Sequence, residues 1–113
     1  MKKYNKLVRD KIPQIILRSG GKAEYYNLTD EEYLTELDKK LIEEVMEYQQ
    51  DKNLEEMADI LEVLFALSEA RGYSIDKLMK KREEKALARG GFADKVFLEY
   101  VEEQHVDGTD SLI

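Results

Sequence analysis

The sequence predicts an all-α fold, a four-helix bundle-like subunit with room for one short extended element, which assembles as an oligomer. The chain has 113 residues, a length that suits one domain, with a single proline and no tryptophan. Charged residues make up 38% and apolar residues 42% of it, a balance typical of amphipathic helices. Capping residues also divide the chain into segments with helical periodicity.

The first helix is expected to be short and to follow an extended N-terminus. Asp10 is a suitable N-cap, Pro13 is tolerated in a first helical turn, and Gly20-Gly21 ends the helix. Residues 22–28 then form either a short strand or an extended arm.

The second and third helices are predicted from their caps. Thr29 and Glu32 have the spacing of a capping box, which opens a long helix that runs to about Gln50. After a tight connection, Asn53 caps a third helix that Gly72 ends.

Ser74 is expected to cap a fourth helix, which closes at Gly90-Gly91. The pattern over 92–103 fits strand or helix equally well. A single domain is therefore predicted over 1–103, and 104–113 is predicted to be a flexible C-terminal tail.

Composition excludes several classes of partner. A net charge of −7 argues against binding to polymeric nucleic acid, which requires a basic surface. The absence of cysteine excludes disulfide bonds and thiolate-ligated metals. No apolar run approaches the roughly 20 residues that span a bilayer, and no hydrophobic signal segment follows Met1. We therefore expect a cytoplasmic protein without a membrane partner.

The helical faces predict both the core and the assembly. The second helix carries one narrow apolar stripe, formed by Leu34, Leu37, Leu41, Val45 and Tyr48. The third helix carries two apolar faces on nearly opposite sides. One is formed by Leu54, Met57, Ala58, Leu61, Leu64 and Phe65, and the other by Ile60, Val63 and Leu67. A helix that is apolar on two sides is buried on both, so we expect a homodimer or homotetramer.

Two pairs of carboxylates are the candidate site. Glu44 and Glu47 are spaced i, i+3 on the second helix, and Glu56 and Asp59 have the same spacing on the third. Adjacent antiparallel helices would bring the pairs together, and such a set of oxygens suits Mg²⁺, with Mn²⁺ as an alternative. The competing interpretation is ion pairing with Lys39, Lys40 or Lys52. Glu43 falls almost opposite the apolar stripe and is expected to face solvent.

Cationic residues are candidates for holding phosphate. Arginine binds phosphate through two hydrogen bonds and lysine acts as a point charge, although cations near a helix C-terminus are also favoured by the helix dipole. Phe92, after the Gly-Gly turn, is a candidate for stacking on a base. The cationic candidates are Lys81, Arg82, Lys85 and Arg89 near the end of the fourth helix, with Arg9 and Lys11 at the N-terminus.

At these residues the chain resembles the all-α nucleoside triphosphate pyrophosphatase superfamily, which includes MazG-like and phosphoribosyl-ATP pyrophosphohydrolase-like proteins. The superfamily has Glu-Glu-x-x-Glu on one helix and Glu-x-x-Asp on the next, matched here by Glu43–Glu47 (EEVME) and Glu56–Asp59 (EMAD). The segments 4–13 (YNKLVRDKIP) and 85–92 (KALARGGF) resemble a MazG-like subgroup of house-cleaning pyrophosphatases. The resemblance covers roughly residues 4–100.

The resemblance implies that the protein is an enzyme that uses Mg²⁺, and it implies which residues bind the metal and which are catalytic. By this resemblance Glu44, Glu47, Glu56 and Asp59 ligate the metal, and the first-motif carboxylates, Glu43 included, are catalytic. The reaction would be hydrolysis of a noncanonical or deoxy nucleoside triphosphate to the monophosphate and pyrophosphate. The superfamily's dimers and tetramers agree with the two-sided third helix.

Two alternatives stay open. One is a non-catalytic helical interaction module in which the acidic pairs form structural salt bridges. The other is phosphoribosyl-ATP pyrophosphohydrolase, although such enzymes usually carry a Tyr-His pair soon after the second motif and this chain has none there. The connection between the motifs is also shorter than is usual in the superfamily.

Overall fold

The computed structural model describes residues 1–102, which are helical or irregular and include no strand. The helices are α1 (Ile12–Arg18), α2 (Asp30–Asp51), α3 (Leu54–Ala70) and α4 (Ile75–Arg89). The all-helical class is therefore confirmed for this part of the chain. The predicted tail, 104–113, lies outside the described residues.

The chain divides into two compact units, Met1–Ile75 and Asp76–Ile113. The first contains α1, α2 and α3, and the second contains most of α4. The predicted single domain over 1–103 stays a prediction. Within the described residues, no helix is both long enough and apolar enough to cross a membrane.

Helix α1 begins one residue later than expected. Lys11, not Asp10, is the N-cap residue, and no side chain caps the helix. The prediction of Asp10 as N-cap was wrong, because Lys11 itself lies outside the helix and Pro13 occupies the first turn. After the helix, Gly20 has φ of 90°, a conformation that glycine adopts without strain. Residues 22–28 contain no strand.

The caps of α2 and α3 are those that the sequence predicts. Thr29 and Glu32 form the complete capping box, with the Thr29 hydroxyl accepting from the Glu32 amide at 3.2 Å. Lys52 ends α2 in the left-handed conformation, with φ of 50°. The Asn53 side chain then accepts a hydrogen bond from the Glu56 amide at 3.0 Å. This tight turn makes α2 and α3 a helical hairpin.

The core of the first unit lies between α2 and α3. Its buried apolar residues are Leu37, Val63 and Leu67, packed against the half-buried Leu7, Tyr33, Leu41, Ala66 and Ala70. Val63 and Leu67 come from the face of α3 that also carries Glu56 and Asp59. The other apolar face of α3 is largely exposed.

One expectation about the core was wrong. Val45 was placed in the core stripe of α2, yet 38% of it is exposed. Leu37 and Leu41 of the same stripe belong to the core or pack against it, but Val45 does not.

The described part of the second unit contains α4 from Asp76 onward and the segment that follows it to residue 102. Helix α4 ends at Arg89, as predicted, and Gly90 follows with φ of 83°. The ambiguous segment is neither helix nor strand over 92–102. Its apolar side chains are exposed, including Val96, Phe97 and Tyr100.

Candidate metal centre

The helical hairpin brings both acidic pairs to one place. Glu44 and Glu47 from α2 and Glu56 and Asp59 from α3 each offer one carboxylate oxygen, and these four oxygens lie within 4.8 Å of one another. Two antiparallel helices joined by a short turn align residues at equal distances from the turn, which explains the convergence. We call these four residues the carboxylate cluster.

Burial of the carboxylate cluster destabilises the folded protein unless a ligand offsets the buried charge. Glu44 exposes only 6% of its surface, and the other members are half-buried. Glu44 Oε2 and Glu56 Oε2 are inaccessible to solvent and have no hydrogen-bond partner among the described residues. An unpaired buried polar group destabilises a protein, and a charged one does so more strongly. The cluster therefore contains two buried carboxylate oxygens whose capacity to accept hydrogen bonds is unused within the described residues.

The pKa values reflect this environment. Burial raises the pKa of Glu44, and repulsion from Glu47 raises it further, against the opposing charge of Lys40. Burial also raises the pKa of Glu56, followed by repulsion from Glu47 and Asp59. Both shifts have the direction expected of carboxyl groups that are removed from water and lie close to other carboxylates.

Oxygen atoms in this arrangement fit a hard divalent cation. Mg²⁺ binds oxygen at about 2.1 Å, so ligands on opposite sides of the ion lie about 4.2 Å apart. The observed limit of 4.8 Å requires only a small closure of the side chains. The donor set contains no nitrogen or sulfur, which favours Mg²⁺ or Mn²⁺ over zinc.

Among residues 1–102, two cations contact members of the carboxylate cluster. Lys40 Nζ lies 3.5 Å from Glu44 Oε1, one turn away on the same helix. Arg9 Nη2 donates a hydrogen bond to Asp59 Oδ1 at 2.7 Å, across 50 residues of sequence. Of the three lysines considered as competing partners, Lys40 contacts the acidic motif, whereas Lys39 pairs with Glu36 and Lys52 donates a hydrogen bond to Gln49.

Glu43 occupies a different environment from the carboxylate cluster. It was expected to face solvent, but Lys6 of the N-terminal segment covers it, with Nζ 2.8 Å from Oε1. Lys40 approaches its other oxygen at 3.5 Å. Burial acts to raise the pKa of Glu43, but the hydrogen bonds and charges of Lys6 and Lys40 outweigh it and lower the pKa. Glu43 is thus a paired carboxylate outside the cluster.

A shallow depression of about 520 Å³ lies on α2 beside the carboxylate cluster. Ile42 and Met46 give it apolar walls, and Glu47 connects it to the cluster. Its lining consists of Lys39, Ile42, Glu43, Met46, Glu47 and Gln50.

The predicted phosphate-binding residues are divided between the two units. Arg9 contacts the carboxylate cluster, and Lys11 is exposed at the start of α1. The remaining candidates, all exposed, lie in the second unit: Lys81, Arg82, Lys85, Arg89 and Phe92. Lys81, Lys85 and Arg89 line a shallow depression of about 370 Å³ on α4, where Lys81 pairs with Glu84 at 2.9 Å. Their role toward the carboxylate cluster stays a prediction.

Sequence reasoning missed how the N-terminal segment meets the acidic motifs. Lys6 was not singled out at all, and Arg9 was considered only as a ligand for phosphate. No local pattern could have found these contacts, because each joins residues more than 30 positions apart.

Comparisons with protein-family models, with curated proteins and with solved structures return no match. The resemblance to the all-α pyrophosphatases therefore stays a prediction that rests on the two acidic motifs and their surroundings.

Proposed function

We propose that this protein is a Mg²⁺-dependent nucleoside triphosphate pyrophosphohydrolase, which converts its substrate into a nucleoside monophosphate and pyrophosphate. The carboxylate cluster carries the proposal, because two of its buried oxygens have no hydrogen-bond partner among the described residues. A cation would satisfy these oxygens and remove the repulsion among the four charges.

The proposed chemistry combines the ion with the chain's own side chains. When bound, a divalent ion neutralises phosphate oxygens and acidifies a coordinated water molecule. Glu44, Glu47, Glu56 and Asp59 would hold it, with Mn²⁺ as an alternative to Mg²⁺. Glu47 also faces the depression on α2, where its carboxylate can orient an attacking water molecule.

The proposed substrate is a noncanonical or deoxy nucleotide. In this proposal the base lies against Ile42 and Met46 in the depression beside Glu47, since apolar walls suit a planar ring. Arg9 and Lys11 would bind the phosphates, and the basic residues of α4 stay candidates for phosphate binding. Such cations offset the net charge of −7, which otherwise repels an anionic substrate.

The test is release of pyrophosphate from a panel of canonical, deoxy and noncanonical nucleoside triphosphates, with phosphoribosyl-ATP included. We expect turnover of one or more nucleoside triphosphates with Mg²⁺ and none in excess EDTA. Asp59→Asn serves as the matched inactive control, because it changes one cluster charge and nearly preserves shape. Turnover that is equal in EDTA and Mg²⁺ would contradict the proposal.

A second candidate function is a non-catalytic interaction module, which the ion pairs favour. Lys6–Glu43, Arg9–Asp59 and Lys40–Glu44 are structural contacts of the kind that such a module would use. A thermal shift separates the candidates, because a ligand that binds only the folded state raises its melting temperature. No shift at millimolar Mg²⁺ or Mn²⁺ would favour the module.

We further propose that the protein is a homodimer or homotetramer. Leu54, Met57, Leu61 and Leu64 share one face of α3 and are 79%, 48%, 47% and 39% exposed. Contiguous exposed apolar faces of this kind usually mark interaction sites. Light scattering at micromolar concentration should report an oligomer, and Leu61→Glu should dissociate it. A wild-type monomer would contradict this proposal without affecting the metal centre.

A further inference from the structure

The ion pair between Arg9 and Asp59 joins a cation to a residue of the proposed metal site. Arg9 Nη2 lies 2.7 Å from Asp59 Oδ1, the shortest of the contacts that the N-terminal segment makes with the acidic motifs. The Asp59 oxygen of the carboxylate cluster lies within 4.8 Å of oxygens from three other carboxylates. The guanidinium therefore contacts one member of a group of four carboxylates.

We propose that Arg9 is a resident counter-cation of the carboxylate cluster, in addition to Lys40, and that a divalent cation binds by displacing the Arg9 guanidinium from Asp59. This inference deepens the proposed function and rests on it. An arginine at this place lowers the repulsion among the carboxylates while the metal is absent. It also lowers the apparent affinity for the metal, since the ion must compete with the guanidinium for Asp59.

Several observations favour displacement over a fixed structural pair. The Arg9 side chain is 56% exposed, so its guanidinium can leave without losing a packed environment. Leu7, two residues earlier, packs against the core and keeps the segment attached when Arg9 moves. Glu44 Oε2 and Glu56 Oε2 remain without hydrogen-bond partners in the presence of Arg9, so the arginine satisfies only one edge of the cluster.

Release also gives Arg9 a second use. A guanidinium freed from Asp59 stays beside the cluster, where it can bind a phosphate through two hydrogen bonds. Metal binding and preparation of the phosphate site would then be one event. Arg9 would pair with Asp59 when no metal is bound, and it would bind the substrate phosphate when metal is bound.

The first experiment measures Mg²⁺ binding by calorimetry for the wild type, Arg9→Gln, Arg9→Lys and Lys6→Gln. Lys6 is the matched control, because it lies on the same segment, is similarly exposed and pairs with Glu43 outside the cluster. Removing the competitor should tighten binding in Arg9→Gln about fivefold, the scale of one partly exposed ion pair. Arg9→Lys should stay near the wild type, and Lys6→Gln should change by at most about twofold.

Weaker Mg²⁺ binding by Arg9→Gln would overturn the proposal that the metal displaces Arg9, because it would show that the arginine holds Asp59 in position for the metal. Equal tightening in Arg9→Gln and Lys6→Gln would also overturn it, since loss of any nearby positive charge would then be sufficient. If the wild type itself binds neither Mg²⁺ nor Mn²⁺, the proposed function fails as well.

The second experiment needs no metal and so separates the two proposals. In EDTA, Arg9→Gln should lower the melting temperature by about 4 °C in the wild-type background, and by much less in an Asp59→Asn background. Equal losses in both backgrounds would show that Arg9 does not act through Asp59. Magnetic resonance of the arginine guanidinium protons gives a direct readout: Mg²⁺ should shift the Arg9 signals and leave those of Arg71 unchanged. Unmoved Arg9 signals at saturating Mg²⁺ would overturn displacement.

Discussion

The carboxylate cluster and the basic residues of α4 are both sets of like charges at helical spacing, but the structure treats them differently. The cluster joins two helices and buries Glu44 to 6% exposure. The basic set lies on one helix, where the Lys81 side chain is 70% exposed and has Glu84 as its partner. Water can solvate the second set, so its charges carry no requirement for a ligand. The carboxylate cluster does require a ligand, because the repulsion among its charges and its unpaired oxygens must be offset.

The largest expected effect comes from Asp59→Asn. This change removes one charge of the carboxylate cluster and keeps the shape of the side chain. We expect metal affinity and turnover to fall by about 100-fold or more, because even outer partners of metal ligands cost 10–100-fold. The fold should persist, and metal-free stability should change little, because the fall in like-charge repulsion offsets the loss of the Arg9 ion pair. Calorimetry, turnover and melting in EDTA report these three outcomes.

Glu43→Gln is the control for that change, because it also removes one charge from an acidic motif but lies outside the cluster. Its effect on metal affinity should be much smaller. If Asp59→Asn stays active while Glu43→Gln abolishes activity, the metal site must be rebuilt around the other side of α2.

The second prediction compares the α2–α3 hairpin with α4 through leucine-to-alanine substitutions. Leu37 is 2% exposed in the hairpin core, whereas Leu87 is 82% exposed on α4. Leu37→Ala should lower the free energy of unfolding by about 2–4 kcal/mol, and Leu87→Ala should change it by less than about 0.5 kcal/mol. Urea unfolding at fixed protein concentration measures both. A large loss for Leu87→Ala would mean that another surface covers this part of α4.

The sequence was sufficient for the features that local rules control. The capping box at Thr29, the cap at Asn53 and the turn after α2 follow from short-range hydrogen bonds, so α2 and α3 lie where they are predicted. The convergence of the acidic pairs follows from these bounds, because a tight turn fixes how α2 and α3 align. Spacing of i, i+3 then places each pair on one side of its helix.

The features that the sequence did not reveal depend on distant contacts. Glu43 was expected to face solvent because helical geometry considers only α2 itself. The residues before α1 bring Lys6 into contact with Glu43, and helical geometry does not predict their path. Val45 was assigned to the core because periodicity shows an apolar stripe but not its covered width. The pairing of Arg9 with Asp59 likewise depends on the path of the chain before α1.

The third prediction concerns the basic residues of α4, for which we expect an intermediate effect. Changing Lys81, Lys85 and Arg89 together to glutamine should raise KM for the nucleotide about tenfold, the combined effect of several exposed charges. Affinity for Mg²⁺ and the melting temperature should change little. Lys80→Gln, on another side of the same helix, is the control. A loss of Mg²⁺ affinity in the triple variant would contradict the separation of phosphate binding from metal binding.

The smallest effect, and the most direct comparison of the two regions, is the titration of their glutamates in EDTA. Burial and repulsion raise the pKa of Glu44 and Glu56, whereas the hydrogen bond and charge of Lys81 lower the pKa of Glu84. Carboxyl carbon resonances should therefore show Glu44 and Glu56 titrating above the ordinary value of 4.5 and Glu84 below it.

These opposite shifts make opposite contributions to stability. A carboxyl whose pKa is raised in the folded state stabilises the protein below the unfolded pKa, and that contribution disappears as pH rises through the folded pKa. A carboxyl whose pKa is lowered stabilises it above the unfolded pKa, and that contribution disappears as pH falls through the folded pKa. The metal-free carboxylate cluster should thus lose stability as pH rises from about 4.5 toward neutrality, and Mg²⁺ should restore it there. Melting curves in EDTA and in Mg²⁺ across this range measure the effect. Metal-free stability that rises over the whole range, with Glu44 titrating below 4.5, would show that the cluster's charges are already satisfied within the chain.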